Sequence, residues 1–281
     1  GLLGIVAAVT AAVQLFLQNS YFSFAVIKKK TIILCLVLAA AIILGCVMLG
    51  SVSKETSAVP KVGKTVVIDP GHGGMDGGVV GVNSGVKESE INLAIAKSLR
   101  HFLVRNGYDV VMTRETPDGL YAAADKNKKL ADMQARRDVI RAAHPDLVIS
   151  VHQNFYPRGE ISGAQVFYHG ESEPSKAAAE CFQSALNRDL SCDREAKTGD
   201  YYILNCTEFP SVLVQCGFLS NAAEEKKLVT AVYQEKIAYT IYSAVCVVLG
   251  EGAGGCEKTE AESGNAAETV APIYRKEQIT A

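Results

Sequence analysis

Four short stretches of this chain place chemically competent side chains at the borders of apolar runs. Asp69-Pro70-Gly71-His72-Gly73-Gly74 follows Thr65-Val66-Val67-Ile68, and its glycines let the backbone turn sharply and leave the His72 imidazole projecting. Glu88 ends a glycine-containing loop and opens an amphipathic stretch, where a carboxylate also suits a helix N-terminus; Glu90 competes for that role. His152 follows Ile149-Ser150-Val151, and Gln215 follows Val212-Leu213-Val214. Two imidazoles and a carboxylate from three element ends form the set with which hydrolytic enzymes hold zinc (Zn2+) while leaving a fourth position for water. Each residue alone has a plainer reading: His72 as a structural or solvated loop residue, Glu88 as a helix-start acid, His152 as a core hydrogen-bonding group. The other histidines fit the set less well, since His101 falls within a helical stretch, His144 precedes Pro145 and His169 lies just past a strand. Gln215, by position, faces the same crevice as the first three.

The elements that must position these groups alternate. Strand-like runs at 65–68, 110–112, 147–151, 164–168 and 212–214 are interleaved with helical stretches at 91–104, 132–143, 177–186 and 222–248. Asn106-Gly107 closes the first helix, and Asn221 with Glu224 three residues later reads as the N-terminal cap of the last. Fully apolar strands alternating with helices predict an α/β fold, a mostly parallel central sheet with helices on both faces. In such sheets ligands bind beyond the carboxyl ends of the strands, where the four polar positions fall.

Of the 281 residues 48% are hydrophobic and 21% charged, with a formal net charge of −2, which places the chain in the globular class. Without a Lys/Arg-rich stripe, nucleic acid is not an expected partner. Residues 31–49 form an apolar run without charge, of bilayer length, preceded by Lys28, Lys29 and Lys30. A transmembrane anchor at 31–50 is therefore expected, with the lysines in the cytoplasm and the later domain on the extracytoplasmic side of the cell membrane. Residues 2–27 are also apolar and would supply a second span, and Gly45-Cys46 offers lipidation of Cys46 as an alternative anchor. The division that follows is an uncertain apolar stretch at 1–30, the anchor at 31–50, a linker at 51–64, one catalytic domain at 65–250 and a disordered tail at 251–281. None of the eight cysteines forms a C-x-x-C pair, so a cysteine zinc site has no support and buried thiols are the default.

At these residues the chain resembles the zinc-dependent N-acetylmuramoyl-L-alanine amidases of the amidase 3 family. The resemblance is carried by Val67-Ile68-Asp69-Pro70-Gly71-His72-Gly73-Gly74, Lys87-Glu88 with Asn92-Leu93, Met112-Thr113-Arg114, Arg136, Ser150-Val151-His152-Gln153-Asn154 and Cys216-Gly217-Phe218-Leu219-Ser220-Asn221. Gln153-Asn154, the stretch 163–168 and the single anchor are most similar to the spore-cortex branch. The resemblance implies that His72, Glu88 and His152 bind zinc and that peptidoglycan is cut at the amide joining the lactyl group of N-acetylmuramic acid to L-alanine. It also implies that a glutamate acting as general base belongs where this chain has Gln215, an amide that can accept a hydrogen bond from water but cannot take its proton. Three accounts of Gln215 stay open: an engineered inactivation, a natural variant that binds without cleaving, or a slow enzyme, with Glu208 and Asp200 as distant substitutes. A catalytically silent protein that binds peptidoglycan or recruits a partner is the alternative from another class, and a zinc carboxypeptidase is a third reading. An activating protein partner is left unspecified.

Overall fold

The computed structural model of the chain describes residues 61–250, together with Thr10 and Ala39. Apart from those two residues, the expected stretches 1–30, 31–50 and 251–281, and all but the end of the linker, lie outside the described residues. Among the described residues no helix is long and apolar enough to cross a membrane.

In chain order the elements are β1 (Thr65–Pro70), α1 (Glu88–Arg105), β2 (Asp109–Met112), α2 (Lys128–Ala143), β3 (Leu147–Asn154), β4 (Gln165–Tyr168), α3 (Glu173–Leu190), β5 (Lys197–Thr198), α4 (Tyr202–Asn205), β6 (Ser211–Phe218), α5 (Ala222–Leu228) and α6 (Ala231–Leu249). They build one six-stranded sheet in the order β2-β1-β3-β6-β4-β5. The neighbours β1–β2, β1–β3, β3–β6 and β4–β5 are parallel, and only β4 runs against β6. The sheet is thus mixed and mostly parallel, as the apolar strands predict.

Alternation along β1 sends neighbouring residues to opposite faces. Val66 and Ile68 join the larger core with Ile95 and Leu99 of α1, Phe182 of α3 and Ile241 of α6. Val67 joins a smaller core on the other face with Ile140 of α2 and Ile203 and Leu204 of α4. Both faces are covered, so the strands need no polar side and read as continuous apolar runs.

Two expectations are corrected. Both β3 and β6 run on past His152 and Gln215, so these residues lie inside paired strands, opposite one another in register, and not at the strand ends. The helix expected over 222–248 is two helices. Thr230 leaves helical geometry at ψ 135°, its side chain accepts from Tyr233 N–H at 3.4 Å, and its hydroxyl donates to Lys227 O at 2.7 Å. Apolar periodicity continues through this break and hides it. The Asn221 cap forms, with Oδ1 accepting from Ala223 and Glu224 N–H at 3.0 Å, but Glu224 does not reach back to it. The Glu224 carboxylate accepts instead from Phe218 N–H at 2.8 Å and Gly163 N–H at 2.9 Å, tying the end of β6 to the loop before β4.

Candidate metal centre

The loop leaving β1 is fastened by two buried arginines, each reaching it from more than forty residues away along the chain. Arg114 Nε donates to Pro70 O at 2.9 Å, and its Nη2 donates to Gly71 O at 3.0 Å and Ser89 O at 2.9 Å. Arg136, on α2, donates to Pro70 O at 2.8 Å and His72 O at 2.5 Å. Its charge is met by Asp69 at 2.7 Å and Asp132 at 2.6 Å. Burial alone would raise the Asp69 carboxyl, but Arg136 and the hydroxyls of Thr113 and Ser150 hold its pKa below the ordinary value. So braced, the loop can hold His72 at φ 62°, a left-handed conformation a non-glycine residue rarely adopts.

Glu88 is the first residue of α1 and is 2% exposed. Its Oε1 accepts from Gln153 N–H at 2.9 Å and its Oε2 from Val79 N–H at 3.0 Å. His152 Nδ1 lies 2.9 Å from Oε1, and His72 Nε2 lies 3.3 Å from Oε2. The imidazole centroids are 5.0 Å apart with the rings nearly perpendicular. One ligand atom from each of His72, Glu88 and His152 lies within 4.8 Å of the others, and among the described residues no other group of histidine, cysteine, aspartate or glutamate side chains meets this condition. Glu90 is exposed.

The electrostatics suit a cation. Burial would push the Glu88 carboxyl up, but hydrogen bonds and charge from His152 and His72 hold it well below the ordinary range. Burial likewise acts to lower the His72 pKa, and Glu88 and Asp76 raise it above the usual histidine value. Asp76 Oδ1 lies 3.0 Å from His72 Nδ1, so a neutral His72 protonated there keeps its Nε2 lone pair for the centre. The cradle leaves no room for side chains at two glycines. A Cβ on Gly71 would stand 2.1 Å from the His152 ring, and one on Gly78 would stand 2.5 Å from Glu88 Oε2 and 2.8 Å from His72 Cδ2. Two imidazoles and a buried carboxylate match zinc in donor chemistry.

Gln215 stands opposite His152 on β6, and register partners share a face of the sheet. It is 8% exposed, and its Oε1 has no hydrogen-bond partner among the described residues. Such an acceptor costs about 1–3 kcal/mol if left unmet, so it marks a place for a donor such as water. Asp200, Glu208 and Gln215 itself are all absent from the lining of the cleft beside His72 and His152, and Asp200 accepts from Asn205 Nδ2 at 2.7 Å. Among the described residues Cys192, Cys206, Cys216 and Cys246 are free thiols. Burial pushes the Cys216 thiol, next to Gln215, up to about 12, so it is no candidate base.

Fold and site together define an α/β protein with a two-histidine, one-carboxylate group that could hold a metal ion, gathered toward the carboxyl ends of β1 and β3. The family model for N-acetylmuramoyl-L-alanine amidase matches residues 66–247, and the chain belongs to this family of peptidoglycan-cleaving enzymes. It is 37% identical over 194 residues to the germination-specific N-acetylmuramoyl-L-alanine amidase of Bacillus subtilis, covering 67% of this chain and 81% of the relative. It is 36% identical over 186 residues to the amidase LytC of Bacillus subtilis, a match to 65% of this chain but only 35% of that longer protein. Among solved structures, the CwlD amidase of Clostridioides difficile, determined in complex with the GerS lipoprotein, superposes with a TM-score of 0.64 at 36% identity, covering 66% of this chain and 98% of that one.

Proposed function

We propose that this amidase works at a zinc centre held by His72, Glu88 and His152, with Gln215 in the position of the general base. The observation that carries the reading is the convergence of these three side chains within 4.8 Å in a cradle that Gly71 and Gly78 keep open. When bound, zinc supplies a Lewis acid that polarises the scissile carbonyl and makes water more acidic. Asp76 holds the outer nitrogen of His72, and Gln153 N–H holds the Glu88 carboxylate, so the ligand atoms keep their aim. Gln215 Oε1 accepts a hydrogen bond from the attacking water and orients it, but the amide cannot carry the proton to the leaving amine. Loss of a general base typically lowers a rate by about 10²–10⁴-fold, so slow turnover is expected.

Peptidoglycan is the substrate, and the similarity to a germination-specific amidase supports work in the spore wall. The run at 31–49 anchors the chain, and Lys28 to Lys30 keep the catalytic domain outside the cytoplasm. A lipoprotein, as in the CwlD complex, is the corresponding class of protein partner. Zinc analysis tests the centre: one zinc per chain is expected, and His72→Ala and His152→Ala should each remove it. Full occupancy in either variant would show that the ligand assignment is wrong.

A further inference from the structure

The cleft of about 850 Å³ that has His72 and His152 in its wall continues to the start of α2, where Lys126 and Lys128 line it. Its acids are engaged elsewhere. Asp69 and Asp132 bind Arg136 at 2.7 and 2.6 Å. Asp76 lies 3.0 Å from His72 and 3.5 Å from Lys129. Asp125 accepts from Ala122 N–H at 2.6 Å and so closes its own turn. Among the described residues, no carboxylate lies within ion-pair distance of Lys126 or Lys128.

Local folding does not account for these lysines. The first turn of α2 contains Lys128 and Lys129 and no acid, although a helix N-terminus disfavours cations. Lys128 is nonetheless held in place, with Nζ 5.6 Å from the centroid of the Tyr121 ring. Tyr121 in turn accepts from Met75 N–H at 2.8 Å, within the loop that carries His72. A cation is therefore stationed in the cleft wall and braced against the metal-ligand loop.

We propose that Lys126 and Lys128, with Tyr121 beneath, form a subsite for a carboxylate of the stem peptide, a reading that rests on the amidase site assigned above. The bond cut belongs to L-alanine, and the next residue of a stem peptide is an acidic D-amino acid. With the scissile amide beside His72 and His152, the peptide runs along the cleft and presents that carboxylate to the lysines. The subsite distinguishes stems that carry the free acid from stems in which it is amidated.

Binding tests this without relying on turnover, which Gln215 is expected to slow. The zinc-loaded full chain in detergent is titrated calorimetrically with N-acetylmuramoyl-L-alanyl-D-glutamate and with its D-isoglutamine counterpart, which lacks one carboxylate. The acid should bind about fivefold more tightly at low salt, the scale of one solvent-accessible charged contact, and the preference should shrink in about 1 M salt. The Lys126→Met, Lys128→Met double variant, with zinc content checked, should bind both compounds alike. Equal affinities for the unaltered chain, or a preference kept by the double variant, would overturn the subsite while leaving the amidase centre standing. Failure of both compounds to bind would overturn the placement of the substrate in this cleft, and the subsite with it.

Discussion

At the scale of single residues, the centre depends on what is missing as much as on what is present. Gly71 is not among the glycines with positive φ, so what alanine meets there is the His152 ring, 2.1 Å from its Cβ. Gly71→Ala should therefore displace that ring and weaken zinc binding by about tenfold or more, as disturbance around metal ligands typically does. Competition with a chromogenic chelator checks this; unchanged affinity would mean that the ring moves freely and does not bind the metal where proposed. Arg136 is the opposite case, a fully buried cation whose every hydrogen bond holds the metal-ligand loop or an acid beneath it. Arg136→Met leaves Asp69 buried without its partner, and breaking such a pair costs about 3–5 kcal/mol. A large fall in the urea midpoint is expected, together with loss of zinc. His72, Glu88 and His152 were legible in the sequence only as a set, because each alone has a plainer use and it is two imidazoles and a carboxylate at three element ends that point to a metal. Arg114 and Arg136 were visible as landmarks, but their work was not, because their main acceptors are backbone carbonyls distant in the chain.

At the scale of elements, long-range side-chain ties decide what periodicity leaves open. Glu225 on α5 is buried, and its carboxylate accepts from Asn83 N–H at 3.0 Å and from Ser84 N–H and hydroxyl at 2.7 Å, closing the loop that leads to Glu88. Burial acts to raise its pKa, but these hydrogen bonds hold it below the ordinary value of 4.5. With a depressed folded-state pKa, its stabilisation is fully present above the unfolded value and fades as pH falls through the folded one. Between about pH 6 and about pH 3, then, Glu225→Gln should lose less stability than the unaltered chain, as read from urea midpoints at each pH. An identical acid dependence in the two proteins would show that Glu225 is not ionised in the fold. The break between α5 and α6 makes a simpler test. Thr230→Ala should cost about 1 kcal/mol, the usual value of an N-cap, whereas a continuous helix would be indifferent or gain. The strands other than β5, and most helices, were readable because each buries apolar residues, whereas both residues of β5 are exposed. The 229–230 break was not, since the apolar pattern runs through it, and neither was the extra length of β3 and β6, since the apolar runs stop at Val151 and Val214 while backbone pairing continues.

At the scale of the whole molecule, the mostly parallel sheet was legible because fully apolar strands alternating with helices admit few other architectures. The antiparallel β4 was not, because strand direction leaves no mark on a run as short as Gln165–Tyr168. The centre joins the loop after β1, the first residue of α1 and the C-terminal half of β3, so zinc bound there would stabilise the assembled fold over the unfolded chain. At about 1,000 times its dissociation constant a ligand contributes about 4 kcal/mol, so chelation should lower the melting temperature, and zinc should restore it. The most direct test of the central claim compares muropeptide cleavage by the chain and by Gln215→Glu, both at equal zinc loading. The account predicts that Gln215→Glu releases intact stem peptides with a free L-alanine amine about 10²-fold faster or more, the usual scale of general-base help. Equal rates for the two proteins, or no cleavage by Gln215→Glu with zinc in place, would contradict it.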